Sequence, residues 1–255
     1  MKKVDLREEW YDDKKKVSVV IVDVTESARK LAAGHLCGPV SAYYLAKALA
    51  SSALLASETS EKDEALSIQM KCTGPLGGFN VECTADGALR GYTEKKVLDE
   101  FDGIPDRDDR KILGSQQIQV TRSVPGRIIS QGISGSIDGY LAGSLQRRAC
   151  IYLSAETNQE AEVLHARGVL VEALPDSKES VSEFILNDSI SQPANCLRRW
   201  VCRRQSPSKR RHCALSAVAR RNGRSQCWAL WMRRSVPNSH PRSTSPAICA
   251  AVRSP

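Results

Sequence analysis

Apolar and polar residues alternate along residues 66–72, with Leu66, Ile68, Met70 and Cys72 on one side and Ser67, Gln69 and Lys71 on the other. A period of two is that of a strand with one buried face. Phe79, Val81 and Cys83 repeat the pattern, and residues 89–92 supply a third short strand. Between the first two runs lies a loop with Gly74, Gly77 and Gly78, and between the second and third lies Asp86-Gly87, a two-residue hairpin signal. The stretch predicts a β-meander.

The same pattern, followed along the chain, predicts the other elements. Residues 17–24 are a β-branched run suited to a buried strand. Thr25 is placed to cap a short helix with Ala28, Leu31 and Ala32 on one face, stopped by Gly34. Gly38-Pro39 opens a longer helix reaching about Ala56, in which Lys47 is the only charge. Leu45, Leu49, Ala53 and Ala56 form one stripe, and Ala42, Ala46 and Ala50 a second, small-residue face. A helix apolar on so many sides is a buried core helix. Residues 93–111 read as an exposed charged loop, and residues 117–122 and 127–133 as strands about the Pro125-Gly126 turn. Ile137, Leu141 and Leu145 give residues 136–148 helical spacing, and residues 150–153 and 163–174 read as strands. A capping box at residues 176–179 opens a helix with Val181, Phe184 and Ile185. Strands and helices do not alternate strictly, so the class is α+β: mixed sheets with the β-meander packed on the buried alanine-rich helix.

Charge divides the chain. The net charge is +8 over 255 residues, but no acidic residue follows Asp188. Residues 189–255 carry 14 basic residues, thirteen of them arginine, leaving 23 basic against 29 acidic residues before them. The expected domains are a charged N-terminal segment (1–16), a core (17–190) and a basic tail (191–255). The tail is rich in Arg, Ser, Pro and Ala and has little apolar periodicity, which predicts disorder. No run of 18 apolar residues exists and the N-terminus lacks the apolar stretch of a signal peptide. A cytoplasmic location without membrane association is therefore expected. Nine cysteines in such a chain raise the question of a metal or redox role.

Residues 70–92 carry a family resemblance. Gly74, Pro75, Leu76, Gly77 and Gly78, then Asp86-Gly87 with Arg90, Gly91 and Tyr92, resemble the signature of the redox-regulated 33-kDa chaperone (heat-shock protein 33) family. The alanine-rich helix ending LLAS and the later segment GVLVEALP fall where that family has counterparts, so the resemblance spans about residues 19–190. It implies an ATP-independent holdase of the stress response that binds unfolded or partly folded client proteins; a homodimer is left open. It also implies a C-terminal zinc module, built from a Cys-x-Cys pair and a Cys-x-x-Cys pair, that releases zinc and forms disulfide bonds on oxidation. Here the tail cysteines Cys196, Cys202, Cys213, Cys227 and Cys249 are separated by five, ten, thirteen and twenty-one residues, so neither pair is present. His212 and His240 do not restore one. No zinc or other cofactor is expected, because each ligand would have to be brought in at its own loop-closure cost.

Other chemistry is weakly signalled. The glycine loop lacks the Lys-Ser/Thr pair of a P-loop and is followed by a strand rather than a helix, which disfavours phosphate binding. His35 beside Cys37 has no third orienting group, Cys72 and Cys83 sit at inward strand positions, Cys150 lies in the folded part, and His165 within a strand reads as structural or exposed. No enzyme is expected. The tail has two readings that the sequence leaves open. Arg198, Arg199, Arg203, Arg204, Lys209, Arg210 and Arg211, with Trp200 among them, suit nucleic acid. Alternatively, an acid-free stretch rich in Arg, Ser, Pro, Ala, Cys and Trp is what a shifted reading frame of a GC-rich gene produces.

Overall fold

The computed structural model describes residues 5–12, 16–59, 61–103, 108–175 and 177, together with the backbone of 211–213. β1 (Leu6–Asp12) and β2 (Val17–Asp23) pair antiparallel and lead to α1 (Thr25–Gly34) and α2 (Pro39–Leu55), which ends in a 3₁₀ turn, Ala56–Glu58. The meander follows as β3 (Ala65–Cys72), β4 (Gly78–Thr84) and β5 (Leu89–Thr93). Two short helices, α3 (Asp99–Asp102) and α4 (Asp109–Leu113), precede β6 (Gln116–Val124) and β7 (Arg127–Ser134). α5 (Ile137–Gly139) runs into one π-helical turn, Tyr140–Ser144, and then come β8 (Arg148–Thr157), β9 (Val163–Ala173) and the isolated β10 (Arg211–Cys213).

The strands form two sheets, and every pairing is antiparallel. The first has the order β10-β1-β2-β9-β8 and the second β5-β4-β3-β6-β7. The α2 helix lies between them and packs on β2, β8 and β9 on one side and on β3, β4 and β5 on the other. This position explains its composition. Leu45, Leu49, Leu54 and Leu55 are fully buried, each contributing roughly 1.5–3 kcal/mol, while the alanines let both sheets approach. In the second sheet the register sets Met70 beside Phe79, Ile68 beside Val81 and Leu66 beside Cys83, all facing α2. Ile118 and Val120 of β6 complete that layer. In the first sheet Val20, Val22 and Leu170 face α2, and Gly168 lets Leu54 come close.

The fold class expected from sequence holds, including the meander on a buried helix. The details depart from the expectation at several places. The charged N-terminal segment contributes β1, which extends the first sheet beyond β2. Thr25 does not cap α1; its hydroxyl bonds the Asp23 carboxylate and accepts from the Ala166 N–H, anchoring β9. The cap is the buried Asp5, whose two carboxylate oxygens accept from the Glu26 and Ser27 N–H groups at 2.9 Å each. Residues 93–111 are not wholly an exposed loop, since Leu98 enters the core and Phe101 packs against it. The helix expected over 136–148 gives way after Ser144, where the ring of Tyr140 packs on Gly132 of β7. The helix expected after 176 lies outside the described residues. Of the tail, only the backbone of β10 is described, paired with β1.

Candidate functional site

The signature residues build a knot at one end of the second sheet. In the β3–β4 loop the Gly74 N–H donates to the Leu113 carbonyl at 2.9 Å, Leu76 to Ile112 at 3.3 Å and Gly77 to Gly74 at 3.0 Å. Thr73 donates to Ser115, and Pro75 has no N–H. The loop amides are thus consumed internally, which removes the donors a phosphate cradle needs. Leu76 is fully buried beneath the loop. Gly78 has φ +144°, and a Cβ there would sit 2.0 Å from the Met70 carbonyl oxygen, so only glycine closes this turn. A Cβ at Gly74 would likewise meet the Ile112 carbonyl oxygen at 2.3 Å.

The second half of the signature forms the next hairpin. The Thr84 hydroxyl donates to the Asp86 carboxylate, which together with the Ala88 N–H holds that carboxyl below its usual range. Gly87 supplies the left-handed turn residue, with φ +86°. Arg90 pairs with Glu82 across the strands, and Gly91 packs under Val81. Tyr92 is partly exposed opposite Asn80, on the face of the second sheet that points away from α2. That face is polar: Ser67 lies between Glu82 and Thr121, and Gln69 between Asn80 and Gln119.

The corresponding face of the first sheet is different. Val17, Val19 and Ile21 of β2 stand opposite Ala173, Val171 and Val169 of β9, all on the side away from α2. The same rows continue to Trp10 on β1 and to Cys150 and Tyr152 on β8. None of these β2 and β9 residues belongs to the core around α2, although each is buried. The sheet therefore has two apolar faces, and the described helices account for one of them. Sequence reading found the apolar run at 17–24 but had no means of assigning its second face.

The thiols are spread out. Cys37, Cys72, Cys83 and Cys150 are thiols outside any disulfide, and no group of three metal-ligating side chains is present among the described residues. Burial pushes the Cys37 thiol up, against the opposing influence of Thr93 and Lys96. Burial likewise raises the Cys72 thiol. Such thiols stay protonated and unreactive. The side chains of the five tail cysteines, and the arginines considered for nucleic acid, lie outside the described residues. Arg147 bridges Glu58 and Glu172 beside a cleft of about 340 Å³ that Trp10 and Tyr11 also line. Its charge is satisfied there, tying β8 to β9 and to the end of α2.

Comparison with known proteins decides the family. The model of the family described as Hsp33 protein matches residues 9–207. This chain belongs to the Hsp33 family. The family match begins before and ends beyond residues 19–190, the span over which the sequence resemblance was traced, and so takes in β1 from Glu9 onward. A 33 kDa chaperonin of Thermus thermophilus is 30% identical over 183 residues, covering 66% of this chain and 52% of the relative. The Aquifex aeolicus 33 kDa chaperonin is 28% identical over 198 residues, covering 71% and 59%. The chain thus spans about half the length of the curated Hsp33 relatives it matches. The crystal structure of the 33 kDa chaperonin of Thermotoga maritima aligns with a TM-score of 0.68 at 16% identity, covering 86% of this chain and 82% of that one. At that identity the likeness establishes a shared Hsp33 fold.

Proposed function

We propose that this chain is an ATP-independent holdase chaperone that binds unfolded or partly folded proteins. The observation that carries the reading is the Hsp33 family match over residues 9–207, and the surface on offer is the exposed rim of the first sheet's second apolar face, where Tyr152 is 41% exposed; Val17, Val19, Ile21, Val169, Val171 and Ala173 behind it are themselves buried. An unfolding client presents apolar side chains, and each one transferred to such a face gains roughly 1.5–3 kcal/mol without directional chemistry. Holding a client needs no catalytic group and no nucleotide. The names of the curated relatives support the same reading.

Redox control is a separate matter. The family's close cysteine pairs are missing from residues 196–249, and the four described thiols are apart and buried or half-buried. Holdase activity here does not switch sharply with oxidant, and the chain retains no stoichiometric zinc after mild chelation. The experiment is light scattering of a thermally unfolding client, with reduced and peroxide-treated full-length protein and with a Tyr152→Lys variant at the rim of the apolar face. We expect similar suppression in both redox states and weaker suppression by the variant. A large peroxide-induced gain refutes the redox reading; suppression that ignores Tyr152→Lys refutes the assigned surface. Steeply salt-dependent binding of single-stranded RNA without suppression would favour the basic tail as the working part.

A further inference from the structure

Ser154, Glu156 and His165 form a line of side chains on the β8–β9 pair. Ser154 and Glu156 are two apart on β8 and so share a face, and His165 stands directly opposite Glu156 on β9. His165 Nε2 lies 2.8 Å from Ser154 Oγ, and His165 Nδ1 lies 3.3 Å from a Glu156 carboxylate oxygen. With the carboxylate accepting from Nδ1–H, the Nε2 lone pair is left to accept from the serine hydroxyl. Burial and the neighbouring Arg167 hold the His165 pKa below its ordinary value, against Glu156 and Asp23, so the ring is a neutral base at pH 7. Ser154 is exposed, and its cross-strand neighbour Arg167, whose Nε donates to the Asp23 carboxylate at 2.7 Å, places a guanidinium beside it. The next row along the same face is Tyr152 opposite Val169, an apolar wall beside the hydroxyl.

We propose that Ser154, His165 and Glu156 are a nucleophile, base and orienting carboxylate that accept acyl groups from activated carboxylic esters with short apolar acyl chains. Ser154 Oγ attacks the carbonyl carbon while its proton passes to His165 Nε2. The new Oγ–carbon bond forms, the ester carbon–oxygen bond breaks, and the leaving alcohol takes the proton from Nε2. Water then attacks the acyl carbon with Nε2 receiving its proton. Oγ departs, is reprotonated, and the carboxylic acid is released. Arg167 stabilises the negative oxygen of each tetrahedral state, and Glu156 acts through His165 as a positioning residue.

The test uses the full-length protein and p-nitrophenyl butyrate. Mass spectrometry of protein quenched at short times is expected to find the butyryl group on Ser154, a result that requires no variant. Ser154→Ala is expected to abolish that adduct, and His165→Gln to slow nitrophenol release about 10²-fold. Glu156→Gln should lower the rate and move the acidic limb of the pH profile to lower pH, because the carboxylate raises the His165 pKa; Glu156→Asp should restore both. Thermal unfolding curves matching the parent show that the variants are folded. Butyrylation of lysines without Ser154 in the parent protein, or nitrophenol release unchanged in Ser154→Ala, overturns the proposal.

Discussion

The N-terminus of α2 has no capping side chain of its own, because Gly38 occupies that position. Asp102 supplies the cap from α3. One carboxylate oxygen accepts from the Val40 N–H at 2.9 Å and the other from the Leu98 N–H at 2.8 Å. Loss of a helix N-terminal acceptor costs about 0.5–2 kcal/mol. The second, charge-assisted bond adds about 1 kcal/mol. Asp102→Ala should therefore lower stability by about 1.5–3 kcal/mol, and with a urea dependence of roughly 2 kcal/mol per molar the midpoint should fall by about 1 M. Gly38→Ala reaches the same cap from the other side, since its Cβ would lie 2.3 Å from the Asp102 carboxylate oxygen. In the double variant that collision no longer exists, so the combined loss should fall short of the sum by about 1 kcal/mol or more. Equilibrium urea unfolding followed by far-ultraviolet circular dichroism measures all four corners of the cycle. Strict additivity, or an Asp102→Ala loss below about 0.5 kcal/mol, would refute the assignment of this cap.

Three further outcomes are expected. Asp5→Ala should cost about 1–2 kcal/mol through the cap of α1, with faster hydrogen exchange at the Glu26 and Ser27 amides as the local readout. Glu64→Gln should cost about 3 kcal/mol in urea unfolding, because the fully buried carboxylate holds Arg122 Nε at 2.6 Å and its loss leaves that cation without its partner. The third concerns pH. The His165 pKa lies below its usual 6.5 in the folded chain, so the unfolded chain binds more protons as pH falls through that value. This contribution is complete above about pH 6.5 and is lost on acidification, and His165→Gln should flatten that part of the stability profile measured by thermal unfolding.

What the sequence made legible follows from where one physical signal dominated. The meander was plain because residues 66–72 alternate cleanly and Asp86-Gly87 fixes a turn. The limits of α2 were plain because Pro39 opens it and the apolar run closes near Ala56. The β1 strand was hidden, since Glu8 interrupts the face of Leu6 and Trp10 and Arg7 and Glu9 occupy the other, leaving no clean alternation to read. Its place comes from backbone pairing with β2, which composition does not encode. The helix expected over 136–148 ends early because its second half is a π-helical turn, Tyr140–Ser144, and β8 begins at Arg148, a handover that the spacing of Ile137, Leu141 and Leu145 does not reveal. The meeting of Ser154, Glu156 and His165 was likewise invisible, because it depends on the register of β8 against β9. Local periodicity reaches one strand at a time.

The order of the strands also sets a schedule for synthesis. The second sheet draws only on residues 65–134 and is complete once β7 has been made. In the first sheet β2, at residues 17–23, must wait for β9, at 163–173, before its central ladder can close. For most of translation, then, the valine-rich second strand of the nascent chain has no β9 partner and its apolar side chains stay uncovered on that edge. Chain stalled between β7 and β9 would carry a finished meander and an open valine strand, the state in which non-local pairing leaves a protein most prone to aggregate.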